Sequence, residues 1–161
     1  MIRLIKEFKL CSSDSDLYQI GCNFSLEDNN NFYTWRVSMV GPRDTPYKDG
    51  LFTIIIIFPH DYPIHGPEFK FKNKIYHLNV DQTSHNFGHI SLNYLNEWRA
   101  SGKVTDKPCY SVKTALFDIF CLFYYQGEES PYDCKMANEY VNNPEEFNKK
   151  AAKWTKLYAP I

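Results

Sequence analysis

The stretch from Phe32 to Phe58 constrains the fold more than any other part of the chain. Phe32–Val40 alternates, with Tyr33, Trp35, Val37 and Met39 set against Thr34, Arg36 and Ser38. A period of two puts the first set on one face of a strand and the second on the other. Gly41-Pro42-Arg43-Asp44-Thr45-Pro46 comes next as a turn cluster, since glycine and proline each supply backbone angles that a strand does not. Leu51–Phe58 is apolar on both alternations, which predicts a central strand covered on both faces. Leu17–Leu26 reads as a preceding strand, with Asp28–Asn31 as its turn. Glu68–Phe71 reads as a short fourth strand beyond the rigid, proline-rich Pro59–Pro67 loop. Sequential strands joined this closely form an antiparallel meander.

The flanking segments have a helical period. Ile2, Leu4, Ile5 and Phe8 make one face of a first helix, with Arg3, Lys6, Glu7 and Lys9 on its polar side. Cys11–Asp16 ends it with serine and aspartate. From Asn73 to about Tyr110 periodicity is weak and Gly, Asn and Ser are common; a stretch this long inside one domain points to function. Val112, Leu116, Ile119, Phe120 and Phe123 return to helical spacing behind Ser111, a candidate N-cap. Ser130-Pro131 and Asn143-Pro144-Glu145-Glu146 read as two further helix starts, each with a capping side chain and a proline whose missing N–H costs nothing there. The expected architecture is α+β: an N-terminal helix, a four-stranded antiparallel meander sheet, a long loop and three C-terminal helices. With no repeat, linker or low-complexity tract, residues 1–161 read as a single domain.

Composition removes several function classes. Formal net charge is −1, so no basic field is available for a general nucleic-acid binder. The longest aliphatic run, Ile54–Ile57, is too short to span a bilayer, and Met1–Leu10 mixes charge with its apolar residues rather than forming a signal peptide. The chain has five cysteines without a C-x-x-C pair, so free, packing thiols in a reducing compartment, cytoplasm or nucleus, are expected and a zinc knuckle is not. His85 and His89 are four apart in a Gly- and Asn-containing loop with no third ligand nearby, and are expected as exposed loop histidines rather than a metal pair. Gly88-His89-Ile90-Ser91 does not make a G-x-S-x-G elbow. No cofactor or metal is called for.

Nearly the whole chain resembles the ubiquitin-conjugating enzyme family. The resemblance runs through Gly41-Pro42-x-Asp44-Thr45-Pro46-Tyr47-x-x-Gly50-x-Phe52, Phe58-Pro59-x-x-Tyr62-Pro63, Pro67-x-Phe69-x-Phe71, His77-x-Asn79, Gly88-x-Ile90-Ser91-Leu92 and Trp98. It resumes at Ser111–Phe123 and Ser130-Pro131 and closes on Tyr140, Phe147, Trp154 and Tyr158. The resemblance implies that fold, and as partners ubiquitin or a ubiquitin-like modifier, an activating enzyme and ligases. By the same resemblance Ser91 stands at the thioester cysteine, Asn79 at the residue that steadies an oxyanion or the loop, His77 at a loop-ordering position, and Ser130 at a gate beside the site. Arg3, Lys6 and Lys9 match the helix face that meets activating enzyme and ligase, and Ile64 the exposed hydrophobe of the first ligase loop. Arg99 opens a polar insertion, Arg99–Pro108, where the family has a short ligase-gripping loop.

Serine changes the chemistry. A thiol near pKa 8.5 is about a few per cent thiolate at neutral pH, whereas a serine hydroxyl needs an adjacent base. The family triplet histidine–proline–asparagine reads His77-Leu78-Asn79 here, and Asp81–Gly88 is lengthened. Two expectations result. One is a natural, non-catalytic variant that works by binding, alone or beside an active conjugating enzyme. The other is an active transferase for ubiquitin or a ubiquitin-like protein such as Nedd8, whose cysteine has been replaced by Ser91.

Overall fold

The computed structural model describes residues 1–101, 111–127 and 131–161. Four strands, β1 (Asn23–Leu26), β2 (Thr34–Val40), β3 (Leu51–Ile57) and β4 (Glu68–Phe71), form one sheet in the order β1-β2-β3-β4. Every neighbouring pair is antiparallel, as short sequential connections require. The register puts Trp35 opposite Ile56, Val37 opposite Ile54 and Met39 opposite Phe52. All six side chains are fully buried, so the alternation in β2 and β3 builds one face of the core. The other face is more open than expected. Thr53 and Ile55 are half-buried, and Leu51 and Ile57 are 38% and 39% exposed. β3 is central in the sheet but is not covered on both faces.

Six helices among the described residues flank the sheet: α1 (Ile2–Ser12), α2 (Ser15–Gln19), α3 (Asn93–Ser101), α4 (Val112–Leu122), α5 (Cys134–Asn142) and α6 (Pro144–Tyr158). The predicted strand Leu17–Leu26 is in part helix. Asp14 accepts hydrogen bonds from the N–H groups of Asp16 and Leu17 and starts α2, an N-cap that overrides the strand propensity of the next residues. α3 lies inside the stretch read as aperiodic. Its Leu95 and Trp98 are buried and only three apart, too short a signal to show against the Asn-rich background. Ser111 caps α4, accepting from the N–H of Thr114 at 3.1 Å. α5 begins later than expected: Asp133, not Ser130, is its N-cap, taking the N–H groups of Lys135 and Met136. Pro144 opens α6 with Glu145 and Glu146 in the first turn, favourable to the helix dipole.

Val112, Ala115, Leu116 and Ile119 of α4 are fully buried and share one core with the sheet. Phe123, at the end of α4, packs its ring 5.1 Å from that of Phe52 and 6.1 Å from that of Phe71. Phe8 of α1 meets Trp35 edge-on at 5.1 Å. Tyr124 and Tyr125, just beyond α4, are exposed. Cys11 and Cys22 are buried free thiols, and burial pushes both up to about 12. Cys121 and Cys134 are exposed free thiols.

Candidate functional site

The site is the loop between β4 and α3, held from two sides. On one side stands His77, buried and fixed at both ring nitrogens. Its Nδ1 accepts the N–H of Asn79 at 3.0 Å, so Nε2 carries the proton and donates to the carbonyl of Leu122 at 2.9 Å. Only the neutral ring satisfies both partners, and burial lowers its pKa to about 4. Asn79 faces Gly127 with both ends of its amide. Oδ1 accepts the N–H of Gly127 at 2.8 Å and Nδ2 donates to its carbonyl at 3.2 Å. Glycine suits position 127, since an added Cβ would fall 2.9 Å from Asn79 Nδ2.

Leu78 between them is fully buried. Where the resemblance expects proline, leucine brings an extra N–H into the interior, and such a donor must be paired. Gln126 Oε1 takes it at 2.8 Å, and Gln126 Nε2 donates to the Tyr47 hydroxyl at 2.9 Å. That hydroxyl donates onward to the carbonyl of Tyr76 at 2.7 Å. The departure from the family triplet is therefore compensated within the same frame.

Segment 81–88 is pinched off at its base. The N–H of Asp81 bonds to the carbonyl of His89 at 3.0 Å, and the N–H of Gly88 to the carbonyl of Asp81 at 2.7 Å. Between these bonds Thr83, Ser84 and His85 are exposed. Gly88 has φ +79, and a Cβ there would lie 1.9 Å from the carbonyl oxygen of Phe71, so glycine alone fits. The chain then runs beside β4: the N–H of Phe71 bonds to the carbonyl of Gly88 and the N–H of Ile90 to that of Phe69.

Ser91 is buried at 9% exposure, and its N–H bonds to the carbonyl of Asn79 at 2.8 Å. Its Oγ accepts from Asn96 Nδ2, in the first turn of α3, at 3.3 Å. Tyr132 reaches the site because its own N–H is bonded to the carbonyl of Leu78 at 3.0 Å.

The other side of the site was not foreseen. His89, expected to be an exposed loop histidine, is 6% exposed. Its Nδ1 lies 2.5 Å from the Tyr132 hydroxyl and its Nε2 lies 2.5 Å from Arg99 Nη1. Arg99 sits in α3 rather than on an open loop, and its guanidinium also pairs with Glu68 at 3.6 Å. Burial and the neighbouring guanidinium both lower the pKa of His89.

The structure thus brings Ser91, Asn79 and His77 together, as the resemblance implies, and adds His89, Asn96, Arg99 and Tyr132. Ser130, the gate candidate, and Cys109 and residues 102–108 of the insertion lie outside the described residues. Arg3, Lys6 and Lys9 lie on α1 and Ile64 is 48% exposed, so both expected docking elements reach the surface. Among the described residues no group of three metal-ligating side chains comes together, and no helix is long and apolar enough to cross a membrane.

This meander sheet, with its pinned loop and flanking helices, has the form of the ubiquitin-conjugating fold, and comparison with known proteins agrees. The family model for ubiquitin-conjugating enzymes matches residues 3–155. Ubiquitin-conjugating enzyme E2 13 of Saccharomyces cerevisiae is 32% identical over 157 residues, covering 98% of this chain and 93% of the relative. The human ubiquitin-conjugating enzyme E2 K is 30% identical over 158 residues, covering 98% of this chain and 73% of the relative. A crystal structure of a Plasmodium yoelii protein assigned to the ubiquitin conjugating enzymes superposes with a TM-score of 0.81 at 34% identity, covering 99% of this chain and 95% of that one. The E2 domain of a Toxoplasma gondii ubiquitin conjugating enzyme gives 0.76 at 31% identity, covering 98% and 97%. The chain belongs to the ubiquitin-conjugating enzyme family, whose members work with ubiquitin, activating enzymes and ligases.

Proposed function

We propose that this chain is a non-catalytic variant of the family, acting by binding within a ubiquitin or ubiquitin-like conjugation pathway. The observation that carries this reading is the company Ser91 keeps. Its side-chain hydrogen-bond partner is an amide, Asn96. An amide is not a base at neutral pH. The imidazole of this cluster, His89, has its lone pair on the Arg99 guanidinium. A serine hydroxyl without a base to take its proton is a poor nucleophile, and an ester formed on it would pass to a lysine amine far more slowly than a thioester.

Binding surfaces remain for such a role. α1 presents Ile2 and Leu10, 73% and 70% exposed, beside Arg3 and Lys6, over a cavity of about 850 Å³. With Lys9 and Ile64 this face supports docking of an activating enzyme or ligase. An active conjugating enzyme is a candidate companion. Incubation with activating enzyme, ATP and ubiquitin tests the reading: the protein as written is expected to stay unmodified. Appearance of a hydroxylamine-sensitive adduct that discharges onto free lysine would overturn it.

A second reading, an active transferase for ubiquitin or a relative such as Nedd8 with cysteine as its native residue at 91, draws on the frame around His77 and Asn79, which is complete. The codon at position 91 in the gene decides between them.

A further inference from the structure

A cavity of about 320 Å³ lies between the segment that follows Asn79 and the start of α5. It adjoins the loop of residue 91, since Val80 and Ile90 form a backbone bridge and the N–H of Tyr132 is held by the carbonyl of Leu78. The buried Val80 and Met136 line it, together with His77, whose two ring nitrogens are already committed.

The polar groups along this cavity are acceptors. Asp81 is 7% exposed, and its Oδ1 takes the N–H of Thr83 at 2.7 Å. Among the described residues no cationic side chain pairs with that carboxylate, although a buried aspartate is almost always paired. Gln82 lines the same cavity, and its Oε1 is buried without a hydrogen-bond partner among the described residues. An orphaned buried acceptor costs stability until a donor reaches it. Asp133 adds a second carboxylate. Its Oδ1 takes the N–H groups of Lys135 and Met136, so those donors of α5 are closed to an anion. None of the lining residues is a lysine or an arginine. Among the described residues no three metal-ligating side chains come together, so the missing cation is an organic one. Apolar walls that end on acceptors and carboxylates fit an aliphatic stem tipped with a charged donor.

We propose that this cavity is a receptor for a lysine or arginine side chain of a partner protein, with Asp81 and Gln82 recognising its cationic end. The inference gives a partner chemistry to the binding role proposed above and rests on it. The partner's basic side chain is held beside residue 91.

Cys134 reports on the cavity in the unsubstituted protein, because it is exposed and lines it. Its thiolate exchanges with a small symmetric disulfide: a mixed disulfide forms at Cys134 and one small thiol leaves. Cystamine carries an ammonium where hydroxyethyl disulfide carries a neutral hydroxyl. Mass spectrometry at equilibrium compares the two tags at Cys134, with Cys121, an exposed thiol on α4, as reference. Cys134 should favour cystamine about tenfold more than Cys121 does, the scale of one hydrogen bond to a charged group. Asp81→Asn, which can still accept the Thr83 N–H, should remove most of that preference. Gln82→Met, which changes no charge, should remove part of it. Equal capture of the two tags, or a preference unchanged in both variants, overturns the proposal.

A non-covalent measurement separates the two cations. The Gln82 side-chain amide is followed by NMR during titration with the amides of Nα-acetyl-lysine, Nα-acetyl-arginine and Nα-acetyl-norleucine. The lysine or the arginine compound should shift it, the larger response naming the preferred residue, while the uncharged norleucine compound should not. An equal response to all three also overturns the proposal. Neither measurement uses activating enzyme or ubiquitin. A negative result therefore strikes the cavity and leaves the binding role standing, whereas discharge of ubiquitin from residue 91 would strike that role and leave the cavity's preference in place.

Discussion

His77 and His89 flank the same loop, and both are buried and neutral, yet they carry their protons on opposite nitrogens. His77 has Nε2–H on a carbonyl and Nδ1 on a backbone N–H. His89 has Nδ1–H on a phenol and Nε2 on a guanidinium. One ring is clamped by the main chain, the other by side chains from two further segments. A ring clamped by backbone belongs to the fold and should act on stability. A ring clamped by side chains can be altered without moving the chain, and should act on the chemistry of its last partner.

Stability separates the two sides most strongly. His77→Ala removes a buried ring and leaves the Leu122 carbonyl and the Asn79 N–H unpaired, so it should cost about 4 kcal/mol in chemical denaturation. A loss under about 1 kcal/mol would mean that water replaces the ring freely and that the frame is looser than drawn.

Acid should probe the same ring. The folded pKa of His77 is about 4, against an ordinary 6.5. The unfolded chain therefore takes up a proton that the folded one refuses. Stability from this group is complete above the ordinary value and falls away as pH drops from there toward the folded value. Between pH 7 and pH 5 the loss should be about 2 kcal/mol, and denaturation midpoints at the two values measure it. In His77→Ala protein that part of the slope should vanish.

The His89 side should respond weakly by the same measure. Tyr132→Phe removes one hydroxyl at a partly exposed position and should shift stability by about 1 kcal/mol or less. Arg99→Gln should cost about 0.5 kcal/mol, because its pairing with Glu68 is partly exposed. If either matched the loss from His77→Ala, the division between a structural histidine and a chemical one would collapse.

The contrast also explains what was legible in the sequence. The meander could be read because Trp35, Val37 and Met39 alternate in letters as they do in space. Ser91, Asn79 and His77 could be read because they lie close together in a motif. α2 could not, since a single aspartate cap at Asp14 outweighs the strand-like residues after it. Nor could the burial of His89: its partners come from α3 and from just ahead of α5, and no local pattern links Arg99 or Tyr132 to it. The open face of β3 was missed for a related reason. Isoleucines at 55 and 57 look like core, and only the position of the helices shows which face is covered.

The path of the chain from Gly88 to Ile90 beside β4 has a consequence for assembly. A sheet has two edges, and each exposed edge invites another strand to pair with it. Here the backbone of β4 is already engaged, with the N–H of Phe71 on Gly88 and the N–H of Ile90 on Phe69. The segment leading to Ser91 thus serves as the sheet's own hem. A foreign strand would be turned toward the opposite border, β1, which spans only Asn23–Leu26 and offers little length to grip. The same few peptide groups that hold residue 91 in place also keep this end of the sheet from joining its neighbours.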